Sequence, residues 1–308
     1  MKRCRVGQFW WAGVGVWLMM ASGQWAGAMV DPADTRLLSS PAITEGKIAF
    51  VYADDIWVAN ADGSSARRLT SHPGVERNPR FSPDGKLIAF TAGYDGNTDV
   101  FVAPAEGGEP KRLTWHPGDD VVQGFTPDSK VLFSSQRSVF TNRHSQFFTV
   151  SPEGGVPSAL PIPSGDMGAY SPDGKFLAYT PLGERFRQWR NYRGGTASRI
   201  WVLKFDGLSH EEIPKPKGGS NDTQPMWIGD TVYFLSDRDG EFNLYSYGRA
   251  SKEVKKLTDH TSFPIESASA GAGKVIYEQA GYLHVFDPAS GKSTQLKVGV
   301  AADLVEAR

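Results

Sequence analysis

The chain is almost without cysteine. The one present, Cys4, lies within the first few residues, so nothing after it can form a disulfide, act as a thiol nucleophile or hold zinc or an iron–sulfur cluster through sulfur. It also lacks a surplus of charge. Lys and Arg number 33 against 34 Asp and Glu, for a net charge of −1. Setting aside Lys2, Arg3 and Arg5 leaves 30 bases against 34 acids, a balance of −4. General nucleic-acid binding rests on phosphate neutralisation and is disfavoured by such a chain. After Met20 there is no second apolar run long enough to span a bilayer. No helical 3.6-residue pattern of useful length follows the leader. No Gly-x-Ser-x-Gly elbow occurs, which argues against an embedded α/β-hydrolase site.

What is present is apolar, aromatic and rich in turns. Hydrophobic residues at 40% and aromatics at 12% exclude bulk disorder. Gly and Pro, at 34 and 20 residues, disfavour a helical bundle. Residues 1–28 read as an export signal. A basic start (Lys2, Arg3, Arg5) precedes the apolar run Phe9 to Met20 and the small-residue pattern Ala26-Gly27-Ala28. The run is short for an uncleaved anchor, and Cys4 precedes it, so it cannot be a lipoprotein acceptor. A soluble, exported, periplasmic product is expected, with no membrane contact once the signal is removed.

The remainder repeats itself six times. The tag Ser82-Pro83-Asp84-Gly85-Lys86 recurs as Thr126-Pro127-Asp128-Ser129-Lys130 and Ser171-Pro172-Asp173-Gly174-Lys175, with degenerate copies at Thr44-Glu45-Gly46-Lys47, Ile228-Gly229-Asp230 and Gly271-Ala272-Gly273-Lys274. This is hairpin chemistry: Pro presets φ and Gly accepts positive φ. Each tag precedes an apolar strand carrying an aromatic: Phe50, Phe90, Phe133, Tyr179, Phe234 and Tyr277. A second strand follows, centred on Trp57, Phe101, Phe148, Trp201, Tyr245 and His284, at spacings of 44, 47, 53, 44 and 39 residues. A Gly-rich turn and a short polar strand such as Arg112-Leu113-Thr114 close most units. Four short strands per unit and six units predict an all-β fold, a six-bladed β-propeller of four-stranded antiparallel blades over residues 40–298. A lead-in at 29–39 and a tail at 299–308 flank it. The repeated aromatics Trp57, Phe101, Phe148 and Trp201 are expected to pack between blades.

The units Pro79 to Thr114 and Gln123 to Leu160 resemble the TolB-type propeller repeat. A narrower likeness is carried by Arg67-Arg68-Leu69-Thr70-Ser71-His72-Pro73-Gly74, by Tyr94-Asp95-Gly96-Asn97-Thr98-Asp99-Val100 and above all by Trp189-Arg190-Asn191-Tyr192-Arg193-Gly194-Gly195-Thr196-Ala197. Through these the chain resembles the N-terminal six-bladed propeller of tricorn-type serine peptidases. In that family a seven-bladed propeller, a PDZ-like domain and a serine peptidase domain follow. The family's nucleophile, base and oxyanion residues have no matching positions in these 308 residues. The resemblance therefore implies a non-catalytic docking or substrate-gating propeller, truncated before the catalytic domain. Peptidase activity is expected only if a downstream catalytic domain or subunit exists. The implied partners are peptides, a protein, or that catalytic part; no cofactor is implied. The alternative is a stand-alone TolB-like protein-binding propeller in the periplasm.

Three local patterns bear on a site. Arg185, Arg187, Arg190, Arg193 and Arg199 fall in one acid-free stretch, interleaved with Trp189 and Tyr192. The stretch is an insertion between the second and third strands of the fourth blade. Arginine forks suit carboxylates and stack on aromatics. Arg187, Trp189, Arg190, Tyr192 and Arg193 are thus candidates for binding a peptide or anion at one channel mouth, with Arg137 and Arg143 extending the same rim. The competing expectation is a loop that braces neighbouring blades by ion pairs and cation–π contacts. His72, His116 and His260 follow Leu-Thr in three units, where turn chemistry is a better fit than a metal ring.

Overall fold

The computed structural model describes residues 34–139, 141, 144–183 and 191–301. The leader at 1–28, the tail beyond residue 301, Arg143, Arg187, Trp189 and Arg190 lie outside the described residues. The chain forms six four-stranded antiparallel sheets, each from four consecutive strands, over 39–68, 76–112, 120–159, 168–212, 222–256 and 265–295. These are the blades of a six-bladed β-propeller, and the fold expected from the repeats is the fold observed. The only helical pieces among the described residues are two single turns, Tyr94–Gly96 and Asp206–Leu208.

The tags make the hairpins between the first and second strands. In blade 2, the Ser82 hydroxyl donates to Asp84 Oδ1 at 2.6 Å and accepts the Leu87 N–H at 2.9 Å. Gly85 supplies φ +70°. Thr126 with Asp128, and Ser171 with Asp173, repeat the arrangement. The hydroxyl hydrogen bond holds the Asp84, Asp128 and Asp173 carboxyls below their ordinary range. At the outer edge, Thr70, Thr114 and Thr258 each accept a third-strand N–H, from Ile56, Val100 and Leu244 at 2.9, 3.0 and 2.9 Å. The repeated Leu-Thr thus ties each short outer strand to its neighbour.

The aromatic pattern becomes a cross-strand pair in every blade: Phe50 with Trp57, Phe90 with Phe101, Phe133 with Phe148, Tyr179 with Trp201, Phe234 with Tyr245 and Tyr277 with His284. Ring centroids stand 5.9 Å apart in blade 2, 5.8 Å in blade 3 and 5.9 Å in blade 5, close enough to stack. Trp57, Phe101 and Phe148 are buried, as expected of packing residues; Trp201 is part-exposed and stacks on His210.

Blade 6 breaks the pattern with His284. Its ring lies on Tyr277 at 5.1 Å, and its Nε2 is buried with no hydrogen-bond partner among the described residues. Burial, with a smaller contribution from nearby His260, pushes the imidazole down to about 4. His260 Nε2 meets the Tyr277 hydroxyl at 3.1 Å; burial also lowers His260, while adjacent Asp259 opposes that shift. A histidine held neutral in the fold takes up its proton more readily when unfolded. Its contribution is therefore complete above pH 6.5 and is lost as pH falls from 6.5 toward 4. The ring is only part-buried, so solvent screening leaves a loss on the order of 1–3 kcal/mol. His284→Phe, which installs the residue type other blades use, is expected to remove that part of the acid sensitivity. Urea midpoints at pH 7 and pH 5 measure it: the wild-type midpoint should drop between the two, and the variant's by less.

The ring closes without a shared blade. Thr35 N–H donates to Val298 O at 2.7 Å, and Val300 N–H to Thr35 Oγ1 at 2.8 Å. Leu38, Ile43, Phe50 and Trp57 of the N-terminal side form one apolar cluster with Ile276, Leu283 and Val298. Lead-in and tail are thereby clasped together by a few hydrogen bonds and one apolar seam.

Candidate functional site

The first strand of each blade faces a central channel: Ser39–Thr44, Glu76–Phe81, Asp120–Phe125, Gly168–Tyr170, Asp222–Ile228 and Ile265–Gly271 all contribute to its wall. The cavity measures about 720 Å³, within the range of small-ligand sites. Five of the six inner strands carry one extra residue against their partner strand. In three of them a non-glycine residue at positive φ precedes a proline: Ser40 (49°), Asn78 (53°) and Gln224 (49°). Proline has no N–H to lose, which is why a bulge accommodates it. The bulges re-aim Ser40, Asn78 and Gln224, and all three line the channel. Gln224 then bridges to blade 6, donating to Glu266 O at 3.0 Å and accepting the Ala268 N–H at 2.8 Å. Among the described residues most of the wall is neutral, and its charged side chains are Arg80, Asp166 and Glu266.

The insertion joins the second and third strands of blade 4. In an up-and-down blade the facing ends of those two strands lie on the propeller face that also carries the blade-to-blade loops. The insertion's described end is bolted to blade 5. Arg193 Nη1 donates to Asp237 Oδ2 at 2.8 Å, and Asn221 Nδ2 donates to the same oxygen at 2.9 Å and to Tyr192 O at 2.9 Å. Asp237 is 2% exposed, so this is an ion pair with a buried carboxylate. The Tyr192 hydroxyl accepts from Thr196 at 3.1 Å. For Tyr192 and Arg193 the geometry is that of the bracing loop. Arg187, Trp189, Arg190 and Arg143, the other proposed rim residues, lie outside the described residues.

Arg137 is not a free rim cation either. Its Nη2 pairs with Asp120 Oδ2 at 2.5 Å, its Nε donates to Ser135 Oγ at 3.0 Å, and its guanidinium lies over Phe133 and Phe148 at 5.2 and 5.1 Å. Blade 5 repeats the device: Arg238 pairs with Asp222, bonds Ser236 and lies over Phe234 and Tyr245. The shared Ser-x-Arg after the second strand was the available signal. The three candidate metal histidines serve turns and strands. His72 and His116 accept the Gly74 and Gly118 N–H through Nδ1, each at 2.9 Å. Among the described residues no group of three or more His, Cys, Asp or Glu is placed to hold a metal ion.

Residues 35–292 match the sequence family described as the tricorn protease N-terminal beta propeller domain. The chain belongs to that family. Tricorn protease homolog 1 of Streptomyces coelicolor is 34% identical over 265 residues, covering 85% of this chain and 25% of that protein. The crystal structure of the tricorn protease superposes with a TM-score of 0.78 at 25% identity, over 87% of this chain and 27% of that one. TolB from Acinetobacter baumannii shares the fold more distantly, with a TM-score of 0.55 at 22% identity over 71% of this chain and 53% of that one. The tricorn likeness is thus the closer of the two expected from sequence. This tricorn-type propeller spans about a quarter of the length of the curated relatives it matches.

Proposed function

We propose that this propeller is the docking and substrate-gating part of an exported tricorn-like serine peptidase, with bond cleavage performed by residues outside these 308. The observation that carries the reading is the family match over 35–292 in a chain spanning about a quarter of its relatives. The channel supports a gate. Its wall is built from six rigid inner strands and its volume limits what fits, so it selects by width and charge and performs no bond chemistry itself. The partner is the catalytic part, either on the same polypeptide or as a separate subunit, and the cargo is peptide. Export rests on the leader at 1–28.

The native product tests this. An antibody to the propeller is used on the periplasmic fraction, which is also labelled with a fluorophosphonate that marks serine hydrolases. The expected result is a propeller species, with its N-terminus at Met29, that runs several times heavier than 33.6 kDa or co-elutes with a labelled chain. A lone species at or just below 33.6 kDa with no labelled companion overturns the peptidase reading and favours a free-standing binding module.

A further inference from the structure

Arg80 differs from every other part-buried arginine among the described residues. Six described arginines are part-buried: Arg80, Arg112, Arg137, Arg199, Arg238 and Arg249. Five of them face a carboxylate, in Asp99, Asp120, Glu212, Asp222 and Asp230 respectively. Arg80 does not. It stands on the inner strand of blade 2, two residues after the bulge at Asn78, and lines the channel. Its Nε donates to Gln123 O of blade 3 at 3.3 Å and its Nη1 to Pro79 O at 2.8 Å. Both acceptors are neutral carbonyls. A guanidinium has five N–H donors; with two used, three have no partner among the described residues. Desolvation pushes its pKa down to about 10, the signature of a cation whose surroundings do not compensate its charge. Asp166 and Glu266 also line the channel, and each has contacts of its own.

Cations removed from water are normally matched by an anion. The two carbonyls hold the guanidinium against the channel wall. An arginine so fixed presents a planar, forked donor edge, which fits the two oxygens of a carboxylate. We infer that the channel holds a carboxylate-binding subsite centred on Arg80, which takes a small organic acid or the C-terminal carboxylate of a short peptide. The subsite requires only the channel and Arg80, and stands apart from the peptidase reading.

Isothermal titration of the purified propeller at constant ionic strength separates the outcomes. The ligands are acetyl-dialanine as the free acid, the same peptide as its C-terminal amide, and propionate; the proteins are wild type, Arg80→Gln and Arg80→Lys. The free acid is expected to bind wild type at least about tenfold more tightly than the amide, the worth of one charge-assisted hydrogen-bond pair. Arg80→Gln should lose that preference while keeping the wild-type melting temperature, and Arg80→Lys should keep part of it. Propionate binding as well as the peptide acid supports the subsite but counts against peptide as the channel's cargo. Equal binding of acid and amide, or an unchanged preference in Arg80→Gln, overturns the subsite. If Arg80→Gln misfolds, the comparison rests on wild type and Arg80→Lys, where equal acid and amide binding in both is the overturning result.

Discussion

Gly271→Ala is expected to destabilise the propeller more than alanine at any exposed hairpin glycine. Gly271 ends the inner strand of blade 6, and a Cβ built there stands 1.9 Å from Ile43 O and 2.9 Å from Ile43 C, on the inner strand of blade 1. Real Cβ atoms do not approach a backbone that closely, and a carbonyl cannot rotate aside as a side-chain tip can. The relief available is to move blade 1 away from blade 6. No strand crosses this joint, because both blades are built from four consecutive strands. The strain therefore falls on the apolar seam and the Thr35 clasp. Overpacking costs about 1–3 kcal/mol in ordinary cores; a backbone clash at the closing joint belongs at or above the upper end. For a domain of this size that lowers the melting temperature by roughly 6–12 °C. Gly124→Ala is the control: it also lies on an inner strand, has no positive φ and has nothing within 4 Å of its Cβ. Thermal melts of the two variants decide the matter. A Gly271→Ala melt within about 2 °C of the Gly124→Ala melt, less than 1 kcal/mol for a domain of this size, means the seam yields and is not a tight closure.

The blades were legible because each is written locally. Ser82-Pro83-Asp84-Gly85-Lys86 contains its whole hairpin: the donor hydroxyl, the acceptor carboxylate and the positive-φ glycine lie within five residues. The aromatic pairs were legible for a similar reason, since Phe90 and Phe101 are brought opposite by a hairpin of fixed register. The closing seam was not. Six complete repeats are compatible with a shared blade or with two separate ones, and the choice depends on contacts between Leu38 or Ile43 and Ile276, more than 200 residues apart. Arg137 looks like a surface cation in sequence because its partner, Asp120, lies 17 residues away across two strands. Only the inner-strand register reveals that this aspartate is fully buried. The arginine-rich insertion shows the same limit. An acid-free run can be neutralised by acids elsewhere, and for Arg193 that acid is Asp237, 44 residues on.

Arg137→Met and Arg238→Met are therefore expected to fail as binding variants and succeed as stability variants. Arg238 shares its Nη2 between both oxygens of Asp222 at 3.1 Å, while Ser236 Oγ donates to Asp222 at 2.6 Å. Asp222 is 0% exposed, as is Asp120 in the matching place of blade 3. Replacing the arginine by an apolar side chain of similar reach keeps most contact with the paired rings but strands a buried carboxylate. Breaking such a pair from one side costs about 3–5 kcal/mol, whereas removing both partners costs much less. Arg238→Met with Asp222→Asn should thus be more stable than Arg238→Met alone, and a double-mutant cycle measures the coupling. Acid should shrink the Arg137→Met deficit. Burial already raises the Asp120 carboxyl, with Ser135, Thr114 and Arg137 opposing it; without Arg137 it rises further. A group with a raised folded pKa favours the fold as pH falls through that value, so protonation of Asp120 recovers part of the loss between neutral pH and about pH 4. Denaturant melts at neutral and mildly acidic pH, beside peptide titrations of the same proteins, distinguish the two roles. Arg137→Met with an unchanged melt and weakened peptide binding would return Arg137 to the channel rim.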